Sequence, residues 1–321
     1  MSIVTHVRRI CKNKEADYMN LYSAYLVFIN EKELTCSADT IYYYKFNLAR
    51  FFEHLGNYKE LECSNLTLQH VNDYILSLKK TNIKNVSVNT YIRSIKIFVN
   101  WMYEQGFLAE NFSKKIKFLK SDKDNIIPLF EKEVAAIDSL FQGNSETALR
   151  DYCIVHLMLD AGLRLHEVVA LRICDVMMDK NILSVYGKGG KFRVVLLCPR
   201  LKNMLFKYMT YYRAYVPEHL AQEEPLFVQL TSSSYLTDDS VKQLFARLKK
   251  RSGISRVYPH LCRHTFATSF IMGGGNLEYL RMLLGHCDYN ITRNYLHLAN
   301  QYSMMGADIY KLDKAFFKTM Y

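Results

Sequence analysis

The sequence predicts a mainly α protein with one small antiparallel β-sheet, divided into two domains. Three observations carry this. The chain has 321 residues, more than one hydrophobic core usually serves and enough for two. Apolar residues recur at helical spacing through most of it, between capping residues and glycines. One stretch, residues 181–197, instead has β-branched and aromatic arms around a glycine-rich turn, the pattern of a hairpin.

Residues 1–16 read as a loose basic tail. The first domain spans 17–110 and holds four helices. The first runs from Tyr18 to Ile29, with Leu21, Tyr25 and Phe28 on one stripe. Ser37 caps the second, which carries Ile41, Tyr44, Leu48 and Phe51 and stops at Gly56. Thr67 opens the third. Ser87 opens the fourth, which buries Ile92, Ile95, Phe98, Val99 and Met102 and stops at Gly106. Helices of this size close into a bundle. Lys45, Arg50, Arg93 and Lys96 fall off the apolar stripes. Such residues can grip a DNA backbone, although a plain solvated face reads the same way.

Residues 111–127 are polar and lysine-rich and read as a linker, either solvated or lying along DNA. The second domain spans 128–299. Helices are expected over 129–141, 147–162, Leu201–Tyr212 and Asp238–Arg251. Between them, Gly187, Gly189 and Gly190 turn the hairpin and place Lys188 at its tip, with Lys191 three along. Residues 300–321 form an amphipathic tail. Its Met304, Met305, Ile309, Leu312 and Phe316 either fold back or dock on a neighbour.

Composition bounds the function. Half of the chain is hydrophobic and under a quarter charged, as in a globular protein. The net charge of +11 points to a polyanion, most simply nucleic acid, with solubility as the other reading. Eight scattered cysteines without CxxC spacing read as buried thiols in a reducing cytoplasm. No apolar run reaches the roughly 18 residues of a membrane span. The stretch MSIVTHVRRICKNK lacks a signal-peptide pattern.

The chemistry gathers between Pro259 and Tyr295. Pro259 suits the first position of a helix, and His260 and Arg263 then share its first turn. Unpaired N–H groups and the helix dipole favour a phosphate there. Gly273 to Gly275 end that helix, and Asn276 caps the next, which ends at Gly285 and leaves His286 just beyond it. Asp288 or Asn290 caps a third helix that carries Tyr295. Two imidazoles, a guanidinium and a phenol at three helix ends suit phosphoryl transfer.

These parts together resemble the tyrosine recombinase family, the phage-type integrases and Xer-type recombinases. The resemblance rests on Gly162-Leu163-Arg164 with Glu167, Lys188 in GKGGKFR, His260 with Arg263, Leu283-Leu284-Gly285-His286, and Tyr295, in that order. It covers most of residues 128–297; the first domain resembles the family's helical, SAM-like core-binding domain less closely. It implies that Tyr295 attacks a DNA phosphodiester and forms a 3′-phosphotyrosine, without metal, cofactor or ATP. Arg164 and Arg263 would clamp the nonbridging oxygens, since the planar guanidinium matches phosphate. Lys188 would protonate the leaving 5′-oxygen, His260 would assist proton transfer from Tyr295, and His286 would donate to the phosphate. Glu167 would orient its neighbours. Lys191 and Arg193 beside the hairpin turn are further candidates for DNA contact.

The resemblance also implies a double-stranded recombination site as partner, a homo-tetramer on two such sites, a Holliday junction, and accessory DNA-bending or directionality factors. A mobile-element integrase is the expected role. An Xer-type dimer resolvase, a DNA invertase and a type IB topoisomerase share the chemistry. A DNA-binding factor without catalysis is the reading from another class, and the presence of every candidate catalytic residue argues against it. Tyr289, Tyr302 and Tyr310 compete with Tyr295, whose distance from LLGH decides for it. His264, His166 and Cys262 are expected to pack or to be incidental.

Overall fold

The helical stripes and the hairpin read in the sequence fold into two units, residues 1–124 and 125–321. The computed structural model describes residues 19–121, 126–143, 145–187, 192–213, 224–229, 235–285 and 289–314.

The first unit contains α1 (Leu21–Glu33), α2 (Ala38–Leu55), α3 (Leu68–Lys79) and α4 (Asn85–Glu104). The apolar stripes meet as expected: Leu21, Phe28, Ile41, Leu48, Phe51, Ile92, Ile95, Phe98, Val99 and Met102 are all buried. Aromatic edges pack at its centre, with Phe28 5.2 Å from Phe98 and 5.3 Å from Trp101. Such geometry adds to the burial of apolar area itself. A buried Asn47 donates to Ser94 Oγ at 2.9 Å and fixes α2 against α4. Gly56 closes α2 at φ 72°, a conformation a side chain resists.

The linker expectation changes here. Phe112 and Ile116 are buried in this unit, and Asn89 exchanges hydrogen bonds with the Leu119 backbone at 2.8 and 2.9 Å. The apolar residues among the lysines explain it: residues 111–121 are an extension of the helical core. Lys96 on α4 holds this extension. Its ammonium donates to the carbonyls of Ser113 and Ile116 at 2.5 and 2.7 Å and so ties that segment to the helix.

The second unit runs α5 (Glu131–Asp138), α6 (Glu146–Leu159), α7 (Leu165–Val169), β1 (Val176–Met177), β2 (Ile182–Tyr186), β3 (Phe192–Leu196), α8 (Pro199–Tyr212), α9 (Asp238–Ser252), α10 (Pro259–Met272), α11 (Leu277–Leu284) and α12 (Tyr289–Met304). The sheet is antiparallel in the order β1-β2-β3, with Leu183 opposite both Val176 and Val195. Apolar α6 and α10 lie in the core; every residue from Leu149 to Leu159 is buried.

The tail folds back on its own unit. Ile309, Tyr310 and Leu312 are buried, while Met304 and Met305 are exposed; Phe316 lies outside the described residues. Tyr310 N–H donates to the Leu129 carbonyl at 3.0 Å. The Tyr310 hydroxyl donates to Asp160 at 2.6 Å, and Asp160 also accepts from Arg200 at 2.9 Å and pairs with buried His156 at 2.8 Å. Burial opposes the charge on His156, but Asp160 and Asp138 outweigh it and raise its pKa. Tyr310→Phe keeps the ring packing and deletes the hydroxyl's bond to the buried Asp160 carboxylate and the one it accepts from Arg200. We expect it to lower unfolding stability by about 1–3 kcal/mol, read from the urea midpoint; an unchanged midpoint would contradict the latch.

Candidate active site

One buried carboxylate organises the site. Glu167 is 2 % exposed, at the third position of short helix α7. Its Oε2 accepts from the Arg164 backbone N–H at 2.8 Å, and its Oε1 from the Arg164 guanidinium at 2.9 Å. Arg193, reaching in from β3, donates through both terminal nitrogens to the two oxygens at 2.8 and 2.7 Å. Arg263 Nη1, from the first turn of α10, lies 3.8 Å away. Burial acts to raise the pKa of Glu167, but Arg193 and Arg164 win and hold it at about 2 against an ordinary 4.5. Three guanidiniums thus share one carboxylate, and the cluster is left net positive.

The backbone around the cluster explains its shape. Gly162 has φ 67°, and a Cβ there would sit 2.5 Å from the Phe266 ring. Only glycine lets the chain pass so close and turn so. Its carbonyl accepts from Arg263 Nη1, and the Leu284 carbonyl accepts from Arg263 Nη2 at 2.7 Å. The Leu283 carbonyl accepts from Arg193 Nε at 2.7 Å. The C-terminal end of α11 therefore holds two of the arginines, and helix C-termini favour cations. Gly285 closes α11 at φ 62°.

Tyr295 is 4 % exposed, on α12. Burial pushes its pKa up to about 12, against the pull of Arg263 and Arg164. Its hydroxyl lies 2.7 Å from His264 Nδ1. Burial, with positive charge at His260 and Arg263, holds the His264 pKa at about 4. His260 is exposed, and partial enclosure of its ring with Arg263 and Arg164 lowers its pKa. Arg164 keeps a quarter of its side chain, 26 %, open to solvent. It is the guanidinium of the cluster most ready to meet a ligand.

Sequence and structure part company at several positions. Arg193, expected to touch DNA, is 10 % exposed and committed to Glu167. Strand alternation was the available signal: Phe192 and Val194 are exposed while Val195 is buried, so Arg193 shares the inner face. His264, expected to pack or to bond within the core, bonds there to the candidate nucleophile. Cys262 is fully buried, as expected, and burial raises its thiol to about 12. In the first unit Lys45 pairs with Glu33 at 2.9 Å on the surface, Arg50 stacks over Phe46 at 4.7 Å, and Arg93 is exposed. Lys188, Lys191 and His286 lie outside the described residues. Among the described residues, no group of three or more His, Cys, Asp or Glu side chains could hold a metal ion, and no helix is long and apolar enough to cross a membrane.

Comparison with known proteins gives a consistent result. Residues 128–302 match the phage integrase family, and residues 20–106 match the phage integrase N-terminal SAM-like domain. The chain is 30 % identical over 283 residues to tyrosine recombinase XerD of Rickettsia conorii, covering 83 % of this chain and 90 % of that one. It is 27 % identical to tyrosine recombinase XerC of Staphylococcus saprophyticus, covering 88 % and 93 %. The fold is similar to that of the Tn1549 transposon integrase in complex with a circular intermediate DNA, with TM-score 0.70 and 18 % identity over 86 % of this chain and 95 % of that one. It is also similar to a lambda integrase dimer bound to a core site, with TM-score 0.69 and 16 % identity over the same shares.

Glu167→Ala leaves three buried or half-buried cations without their shared anion and should cost about 3–5 kcal/mol. The sign with pH follows from the depressed pKa. The Glu167 contribution is complete above about pH 4.5 and is lost as pH falls towards 2. Acid titration of the wild type should show a loss of stability in that window that Glu167→Gln lacks; parallel curves would contradict the assignment.

Proposed function

The chain belongs to the phage integrase family and is a tyrosine recombinase, an enzyme that cleaves and rejoins DNA strands; from this premise we propose that Tyr295 is its nucleophile and that Arg164 and Arg263 bind the scissile phosphate. The observation that carries the reading is the net-positive cluster around Glu167, set beside a buried tyrosine whose ionisation Arg263 and Arg164 favour. Burial, and then repulsion from Arg164, lowers the Arg263 pKa, and an anion entering there relieves the repulsion.

The steps follow from the groups. The Tyr295 oxygen attacks phosphorus as its proton leaves with the help of His260, and the bond from phosphorus to the 5′-oxygen breaks. Lys188 supplies the proton that the leaving oxygen takes up. Arg164 and Arg263 stabilise the charge gathering on the nonbridging oxygens, with His286 as a further donor. Lys188 and His286 enter on the sequence motif. Attack by the freed 5′-hydroxyl on the phosphotyrosine reverses the step and rejoins a strand. Arg193 and Glu167 act through the other arginines and do not touch the phosphate.

The DNA is a duplex recombination site, gripped outside the catalytic centre by residues such as Arg50 and Arg93 on the first unit. Tetramer assembly on two sites and accessory factors belong to the same proposal. For the biological role, integration of a mobile element is the reading favoured by the sequence. The Xer recombinases among the relatives favour a resolvase. Selecting the bound site from a randomised duplex pool separates the two: a site at the ends of an element supports integration, and a single chromosomal locus supports resolution.

Incubated with a nicked half-site so selected, the wild type should form a covalent adduct on a denaturing gel. Tyr295→Phe should form none, while Tyr289→Phe should behave as wild type. An adduct retained in Tyr295→Phe would move the nucleophile elsewhere. Arg164→Ala should slow adduct formation by roughly 10²–10³-fold.

A further inference from the structure

We propose that His264 is a positioning residue for the nucleophile: its Nδ1 holds the Tyr295 hydroxyl and so fixes where the attacking oxygen stands relative to Arg164 and Arg263. The proposal rests on the reading of Tyr295 as nucleophile.

The geometry is direct. Tyr295 Oη and His264 Nδ1 are 2.7 Å apart, and the two rings are 5.4 Å apart between centroids and tilted by 45°. The phenol is buried on α12 and the imidazole half-buried on α10. A rigid ring on each side leaves this bond little freedom to wander. His264 also follows Arg263 directly in the chain. Neighbouring side chains on a helix point about 100° apart. One short piece of α10 therefore sends Arg263 to the Gly162 and Leu284 carbonyls and His264 to the phenol. The α10 backbone there is itself pinned, since Thr268 Oγ1 donates to the His264 carbonyl at 3.0 Å. The distance between phosphate clamp and nucleophile is set by adjacent residues of one helix.

The protonation states suit holding and not proton removal. At neutral pH both partners are uncharged, with burial as the main cause on each side. In the Nδ1–H tautomer the imidazole donates to the phenol oxygen, so the phenol proton is not held by His264 and passes to His260 as the oxygen attacks. Correct placement of an attacking atom is a large part of a phosphoryl-transfer rate, and an error of about 1 Å can cost about 10²-fold.

The test compares His264→Leu, His264→Asn, Tyr295→Phe and wild type in single-turnover adduct formation on the nicked half-site, with DNA affinity measured by gel shift. Asn carries a polar atom close to the position of Nδ1; Leu fills space without one. His264→Leu should be about 10²-fold slower at unchanged affinity, and His264→Asn should recover to within about tenfold of wild type. Wild-type speed in His264→Leu would overturn the proposal, as would equal slowness of Asn and Leu when both bind DNA. A second measurement does not depend on how His264 variants fold. In ¹⁵N spectra, Tyr295→Phe should move the Nδ1 resonance of one neutral histidine; no change would overturn the proposal. An adduct formed by Tyr295→Phe would instead overturn the nucleophile assignment beneath it, so the two failures are distinguishable.

Discussion

The arginine cluster of the second unit depends on burying one carboxylate among guanidiniums. A carboxylate 2 % exposed is costly unless it is paired and hydrogen-bonded. Glu167 accepts hydrogen bonds from Arg164 and Arg193 and pairs more distantly, at 3.8 Å, with Arg263. The same arrangement that satisfies the carboxylate leaves positive charge in excess. Arg193 serves stability through a bidentate pair, and Arg164, partly open, faces outward. The two tasks fall to different side chains of one cluster.

Packing converts this electrostatic cluster into a fixed site. The Gly162 turn brings α7 against Phe266 of α10 at a distance no side chain permits. The end of α11 offers its last carbonyls to Arg193 and Arg263. The tail closes against the same unit, where Tyr310, Asp160 and His156, all buried, join the half-exposed Arg200 in a second polar group. Such groups are sensitive to any unpaired member.

Most of the fold was legible in the sequence because helical periodicity and chain-stopping glycines are local signals. Ser37 and Gly56 bracket α2 as expected, and Pro259 and Asn276 open α10 and α11. The fourth helix begins at Asn85 and not at Ser87, where Asn85 itself reaches the Lys120 carbonyl. Strand β1 is two residues long, too short to leave a pattern. The motif residues Arg164, Glu167, His260 and Arg263 come together as their order suggested. Partners set by tertiary placement were not legible: Lys96 turned to backbone carbonyls, Arg193 to Glu167, and His264 to Tyr295. A basic side chain in a sequence carries no sign of whether it will meet a phosphate or a carboxylate.

The claim that the arginines around Glu167 serve charge on the scissile phosphate has a direct chemical test. A half-site carrying a methylphosphonate at the scissile position lacks one nonbridging charge. Its cleavage should be nearly indifferent to Arg164→Ala, while cleavage of the ordinary phosphodiester by the same variant falls steeply. Equal loss on both substrates would contradict the clamp and leave Arg164 as a structural partner of Glu167.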